Sequence, residues 1–213
     1  MEAFEIAFAY RNPVIVLGDG YLGQITGRVT LPRQMVEPGL PAWAVWGDEA
    51  HRGNLICSIA LSEADLERVN VRLNEKYARM TEREQRADLY RCDDADWLLV
   101  ACNTPARMAK GAVEALRAEG IAAGLFRPVS LWPFPVRALA PLLERARGLV
   151  MVEAGPGQLE DELRLAVSHH GVAALPPVHR IQRYGGILPQ QSDIVDRVRH
   201  LAAAAAAGAP VAA

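Results

Sequence analysis

From Asp96 onward the chain repeats one pattern, a short apolar run followed by a helical stretch, and that repetition leaves few folds open. Trp97-Leu98-Leu99-Val100-Ala101 has the unbroken apolar character of a strand buried on both faces. Asn103-Thr104 reads as a turn with Thr104 as N-cap, Pro105 at the first helical position, and Ala106 to Glu119 as a helix closed by Gly120. Ile121 to Phe126 and Leu149 to Val152 are the next two strands. Their helices run over Pro135 to Ala146 and Gln158 to Ser168. This alternation predicts an α/β fold: an open, mostly parallel sheet with right-handed crossovers and helices on both faces. Val178 to Arg183 offers a further strand, and Ile194 to His200 opens the last helix. Beyond Leu201 the alanines form a low-complexity tail, expected to be disordered.

The first third of the chain is less regular. Glu2 to Tyr10 has helical composition and leads through Asn12 and Pro13 into Val14-Ile15-Val16-Leu17, an apolar run that suits a buried strand and ends in Gly18-Asp19-Gly20. A buried parallel strand needs neighbours on both sides, so this unit reads as the tail of a larger domain. Thr30 to Asn54 mixes prolines, glycines and tryptophans without a period. It is expected to be a linker or surface segment, with Trp43 and Trp46 as docking points. Ser62 to Arg86 is strongly helical, with Ser62 as N-cap and Asp65 placed to complete a near capping box. Leu66, Val69, Leu73 and Tyr77 share one face of it, and the charged remainder reads as a solvated face.

Bulk properties exclude several function classes. The 23 basic and 25 acidic residues give a formal charge of -2, without the electrostatic footprint of a nucleic-acid or membrane-surface binder. No apolar run approaches the ~20 residues needed to cross a bilayer. The N-terminus lacks a secretory pattern, and a cytoplasmic location is expected. Cys57, Cys92 and Cys102 form neither a disulfide framework nor a C-x-x-C ligand pair, and the five histidines have no metal-ligand spacing. Any iron–sulfur cluster therefore belongs on another chain.

In an open α/β sheet, ligands and partners meet the carboxyl ends of the strands. Those ends carry Asn103-Thr104, Arg127-Pro128, and Glu153 with Gly155 to Gln158. Arg127 and Glu153 end neighbouring strands if the strand order is sequential, and would then meet in a partly buried ion pair. No nucleophile or poised base accompanies them, so no catalytic residue is assigned. Gly155-Pro156-Gly157 lacks the order of a dinucleotide fingerprint. Asp19, in Gly18-Asp19-Gly20, has no partner motif for a metal; Asp19, Tyr21 and Gln24 are left as candidates for lining a cofactor site at a subunit boundary. Trp132-Pro133-Phe134-Pro135 fits equally a core plug and an interface anchor.

YRNPVIVLGDGYLGQ, WAVWG, SEADLERVNVRLNEKY, AVEALRAEGIAAGLFRPVSLWPFP and VMVEAGPGQLEDELRLA together resemble the alpha subunit of 2-oxoacid:ferredoxin oxidoreductases. The resemblance is greatest to the branched-chain type acting on 3-methyl-2-oxobutanoate (ketoisovalerate), with the 2-oxoglutarate type next. It covers nearly the whole chain to about Ser192, and R-P-x-x-L-W-P-F-P is its most specific signature. It implies that residues 1–32 are the end of a domain that receives the aminopyrimidine of thiamine diphosphate. Residues 33–90 would then be linker and helix, residues 91–201 a core resembling the transketolase C-terminal domain, and residues 202–213 a tail. A separate beta subunit is expected to hold the diphosphate, Mg²⁺ and iron–sulfur clusters, and this chain alone to bind no cofactor. The assembly would convert a 2-oxoacid to an acyl-CoA and reduce ferredoxin. Within it the chain is expected to be a structural and dimer-forming core, inactive alone, with Arg127, Trp132, Phe134, Glu153 and Gln158 at interfaces. The alternative is a non-enzymatic interaction module or truncated relic that binds another subunit. Cys102-Asn103 departs from the aromatic and glycine usual in that family; asparagine tolerates positive φ better than most residues, so the turn is expected to survive, while the close backbone approach that glycine permits is not.

Overall fold

The computed structural model describes residues 2–31, 39–57 and 59–208. They divide into two units: residues to Leu17 with Gln24–Met80, and Gly18–Gly23 with the residues from Thr81 on. No helix among the described residues is long and apolar enough to cross a membrane.

In the first unit, α1 (Glu2–Tyr10) matches its expected span. Trp43 docks on it, its indole N–H donating to the Phe8 carbonyl at 2.9 Å and its ring lying 5.6 Å from that of Phe8. Asn54 ties the same segment together by donating to the carbonyls of Ala42 and Ala44. Trp46 does not dock and is largely exposed. Val14–Leu17 is not a strand: it runs irregularly with Ile15 and Val16 both 79% exposed. Four β-prone residues form a strand only where a neighbour takes their backbone groups, and no described strand lies alongside them. α2 (Glu63–Arg83) starts as its sequence dictates, with the Asp65 N–H donating to the Ser62 hydroxyl at 3.1 Å.

The second unit is built on a five-stranded sheet of β1 (Ala87–Tyr90), β2 (Trp97–Val100), β3 (Ala123–Pro128), β4 (Gly148–Glu153) and β5 (Val178–Gln182), in the order β1-β3-β2-β4-β5. All neighbours are parallel except β1, which runs antiparallel to β3 on one edge. β1 lies in the stretch read as linker and helix. Its four residues, ADLY, are too short and too polar to show the alternation of a strand.

α3 (Asn103–Ala118) and α6 (Gln191–Ala206) cover one face of the sheet; α4 (Val136–Leu143) and α5 (Gln158–His170) cover the other. α3 presents Ala109, Ala112, Val113 and Leu116 to Leu99, Leu125 and Val150. On the opposite face Leu139, Leu143 and Leu163 close over Leu98, Phe126 and Met151. β2 and β4 are buried on both faces because each lies between two strands and two helix layers.

The ends of α4 and α6 differ from expectation by several residues. α4 stops at Leu143, three residues before the expected Ala146, and carries Pro141 inside it. α6 continues past Leu201 to Ala206, because alanine is the strongest helix former and the helix is already nucleated and packed upstream. Residues 209–213 of the expected tail lie outside the described residues.

Candidate functional site at the switch point

β2 passes through α3 to β3 on one side, and β4 passes through α5 to β5 on the other. The crevice between the carboxyl ends of β2 and β4 is therefore the topological switch point of the sheet. A cavity of about 250 Å³ opens there, with Asp19, Cys102, Leu131, Glu153, Gly155 and Gln158 among its lining.

Both helix N-termini that face this crevice hold a carboxylate of the chain itself. Asp19, brought in by the Gly18–Gly23 turn, accepts the Leu22 N–H at 2.8 Å on one oxygen and the Thr104 N–H of α3 at 2.8 Å on the other. Burial raises the Asp19 pKa, but these hydrogen bonds outweigh it and hold the carboxyl below its ordinary value. Glu153, at the end of β4, accepts the N–H groups of Leu159 at 3.0 Å and Glu160 at 3.3 Å, in the first turn of α5. Burial pushes the Glu153 carboxyl upward, and the two N–H donors only partly offset it. Gly157, with φ of 115°, turns the chain so that α5 begins with those donors facing Glu153.

The α3 end is shaped by Asn103, whose φ of 52° sets the turn into the helix. The helix starts at Asn103 with Cys102 in the N-cap position, two residues before the expected Thr104 cap. Cys102 gives its neighbour no side-chain cap, and the Asp19 carboxylate takes the Thr104 donor instead. Burial, then the charges of Glu153 and Asp19, raise the Cys102 thiol, so it is a poor nucleophile.

The remaining predicted site residues separate. Arg127 and Glu153 do not pair, because β2 lies between β3 and β4 in the sheet; the sequential strand order behind that expectation is not the one formed. Arg127 instead pairs with Asp88 across β1 and β3. Phe134 is 6% exposed and packs against Phe126 at a ring separation of 6.3 Å, so within this chain it plugs the core. Trp132, beside the cis Trp132-Pro133 bond, is 58% exposed. Gln158 is exposed at the start of α5 and lines the crevice; Tyr21 is exposed and is not part of the lining, and Gln24 falls in the other unit. The Asp19 to Thr104 contact was invisible to sequence reading because it joins residues 85 positions apart.

Residues 95–194 match the family described as pyruvate:ferredoxin oxidoreductase core domain II. Over 204 residues the chain is 40% identical to the ketoisovalerate oxidoreductase subunit VorB of Methanothermobacter thermautotrophicus, covering 95% of this chain and 56% of that protein. It is 29% identical over 188 residues to the 2-oxoglutarate synthase subunit KorA of Archaeoglobus fulgidus, covering 83% of this chain and 54% of the relative. Residues 95–194 belong to this core-domain family, and the chain is homologous to subunits of 2-oxoacid:ferredoxin oxidoreductases.

The chain spans just over half the length of the curated oxidoreductase subunits it matches. The 2-oxoglutarate:ferredoxin oxidoreductase of Magnetococcus marinus, solved with 2-oxoglutarate, coenzyme A and succinyl-CoA bound, shares the fold. The TM-score is 0.56 at 20% identity, over 66% of this chain and 24% of that one.

The crevice does not fit the diphosphate of the thiamine cofactor that the family resemblance implies. Its backbone donors at Thr104, Leu159 and Glu160 are already given to Asp19 and Glu153, and Glu162 adds a third carboxylate to the lining. A diphosphate there would meet acceptors where it requires donors. Among the described residues no group of histidine, cysteine, aspartate or glutamate side chains is arranged to hold a metal ion.

Proposed function

We propose that this chain is the structural core of an alpha-type subunit in an enzyme that oxidatively decarboxylates a branched-chain 2-oxoacid to an acyl-CoA with ferredoxin as acceptor. The chain contributes interfaces, and the reacting cofactor is held by another subunit. One observation carries this reading: both helix N-termini at the switch point are satisfied by Asp19 and Glu153, so the usual ligand position of the fold is filled by the chain's own carboxylates. The VorB relative supports the substrate class.

Residues 1–32 are, on the same reading, the end of a pyrimidine-binding domain. The exposure of the apolar Ile15, Val16 and Leu17 supports this, since a contiguous apolar run facing water marks a surface that another element covers. Trp132 is the interface anchor of the WPFP cluster, and Arg127, Glu153 and Gln158 lie along the same carboxyl-end rim. A pull-down on the tagged full chain, co-expressed with the beta subunit of such an oxidoreductase, tests the assembly. The expected result is a complex of fixed stoichiometry that retains thiamine diphosphate. Recovery of the chain as a stable monomer with no retained subunit contradicts it and favours a relic without enzymatic partners.

A further inference from the structure

β1 forms an open edge of the sheet, separated from the switch point by β3 and β2. Among the described residues nothing pairs with its outer side, although the edge of a sheet presents unpaired N–H and C=O groups. All four of its residues line a groove of about 500 Å³, completed by Leu125 and Arg127 of β3 and by Asn103, Ala106, Arg107 and Lys110 of α3. The register explains its floor. Asp88 lies opposite Arg127 and Tyr90 opposite Leu125, and Tyr90 and Leu125 pack in the cluster that α3 covers, so these four share the α3 face. The small side chain of Ala106 keeps the groove open between the floor and the helix wall.

The groove is basic. Arg127 is balanced by Asp88. Arg107 and Lys110 have no carboxylate partner among the described residues; the Lys110 ammonium rests over the Tyr90 ring, 4.4 Å from its centroid. Glu114, one turn further along α3, is taken by Arg91 at 3.2 Å and by the Tyr90 hydroxyl, which also anchors the ring beneath Lys110. Two uncompensated cations therefore stand along an open strand edge, in a chain whose net charge is -2.

The geometry points to a docking site for an acidic extended polypeptide segment, which adds a strand to β1 and places carboxylate side chains against Arg107 and Lys110. Main-chain hydrogen bonds to the edge supply affinity in such pairing, and side-chain complementarity on alternate positions supplies specificity. The charge commits the site to an acidic strand, because a second copy of β1 would bring the same cations together. This inference stands on the edge and its charges alone and does not depend on the oxidoreductase reading.

The test uses the full chain and a fluorescent, blocked peptide of alternating glutamate and valine, followed by anisotropy and by amide hydrogen exchange at residues 87–90. Saturable binding is expected, with slowed exchange in β1. The double variant Arg107→Ala/Lys110→Ala should weaken binding at least tenfold, while Arg72→Ala/Arg79→Ala, which removes equal charge from exposed positions of α2, should leave it within twofold. Any of several results overturns the proposal: no saturation up to millimolar peptide, equal binding of a lysine–valine peptide, or binding without protection of β1. Displacement of the peptide by inorganic pyrophosphate, which itself binds with the same dependence on Arg107 and Lys110, also overturns it and assigns the groove to a small anion.

Discussion

Trp132 and Phe134 stand two residues apart in one aromatic cluster and have opposite environments. Phe134 is buried in the core against Phe126, so Phe134→Ala should cost about 3–5 kcal/mol of unfolding free energy. Trp132→Ala should cost under about 1 kcal/mol in the isolated chain, being a largely exposed position. Chemical denaturation of the two variants checks both numbers. If Trp132 anchors a subunit contact, its variant should instead lose affinity for the partner. The sequence alone left the two roles even for this pair. Composition shows that rigid aromatics are present, but which ring turns inward depends on the local backbone path.

Glu160 is a residue whose role was wholly hidden in the sequence. It is buried, and it accepts two hydrogen bonds from Arg180 at 2.6 and 2.7 Å and one from Arg164 at 2.7 Å. The Arg180 guanidinium is the main reason its carboxyl lies below the ordinary value of 4.5; burial opposes the shift and Arg164 reinforces it. A depressed carboxyl contributes stability that is fully present above the unfolded-state value and is lost as pH falls through the folded one. Stability should therefore drop as pH falls below about 4.5, and Glu160→Gln should flatten that slope while costing about 1–2 kcal/mol at neutral pH. Equilibrium denaturation at several pH values measures it. An unchanged acid slope in the variant would show that other carboxylates dominate.

At the scale of elements, the strands with continuous apolar runs were legible and the edges were not. β2, β3 and β4 were found within about two residues because burial on both faces leaves their composition little freedom. β1 was missed because an antiparallel edge strand needs only one partner and keeps polar residues. Val14–Leu17 failed in the opposite sense: its composition is that of a buried strand, but the pairing that would make it one is absent from the described residues. Packing also constrains elements at glycines that sequence reading passes over. A Cβ at Gly124 of β3 would lie 2.6 Å from the Arg91 carbonyl oxygen and 3.0 Å from the Cys92 Cα. Since backbone must yield, Gly124→Ala should destabilise by about 1–3 kcal/mol, measurable as a lowered Tm. A variant of unchanged Tm would mean that the β1–β2 connection moves freely.

At the scale of the whole molecule, the site was legible in its location and not in its state. The repeated strand–helix pattern placed it at the carboxyl ends of the strands, and Asp19, Glu153 and Gln158 do meet there. What the pattern does not carry is strand order, which separates Arg127 from Glu153, or the fold-back that brings Asp19 to α3. These two facts turn an apparent ligand crevice into one occupied by the chain's own carboxylates. The central claim is that this chain serves an oxidoreductase assembly and does not itself perform the reaction. The direct measurement is 3-methyl-2-oxobutanoate-dependent reduction of a viologen dye, with thiamine diphosphate, Mg²⁺ and coenzyme A, by the purified chain with and without the beta subunit and any further domain of the alpha subunit. The account predicts no turnover above background by the chain alone and turnover on full reconstitution. Substrate-dependent dye reduction by the lone chain would contradict it.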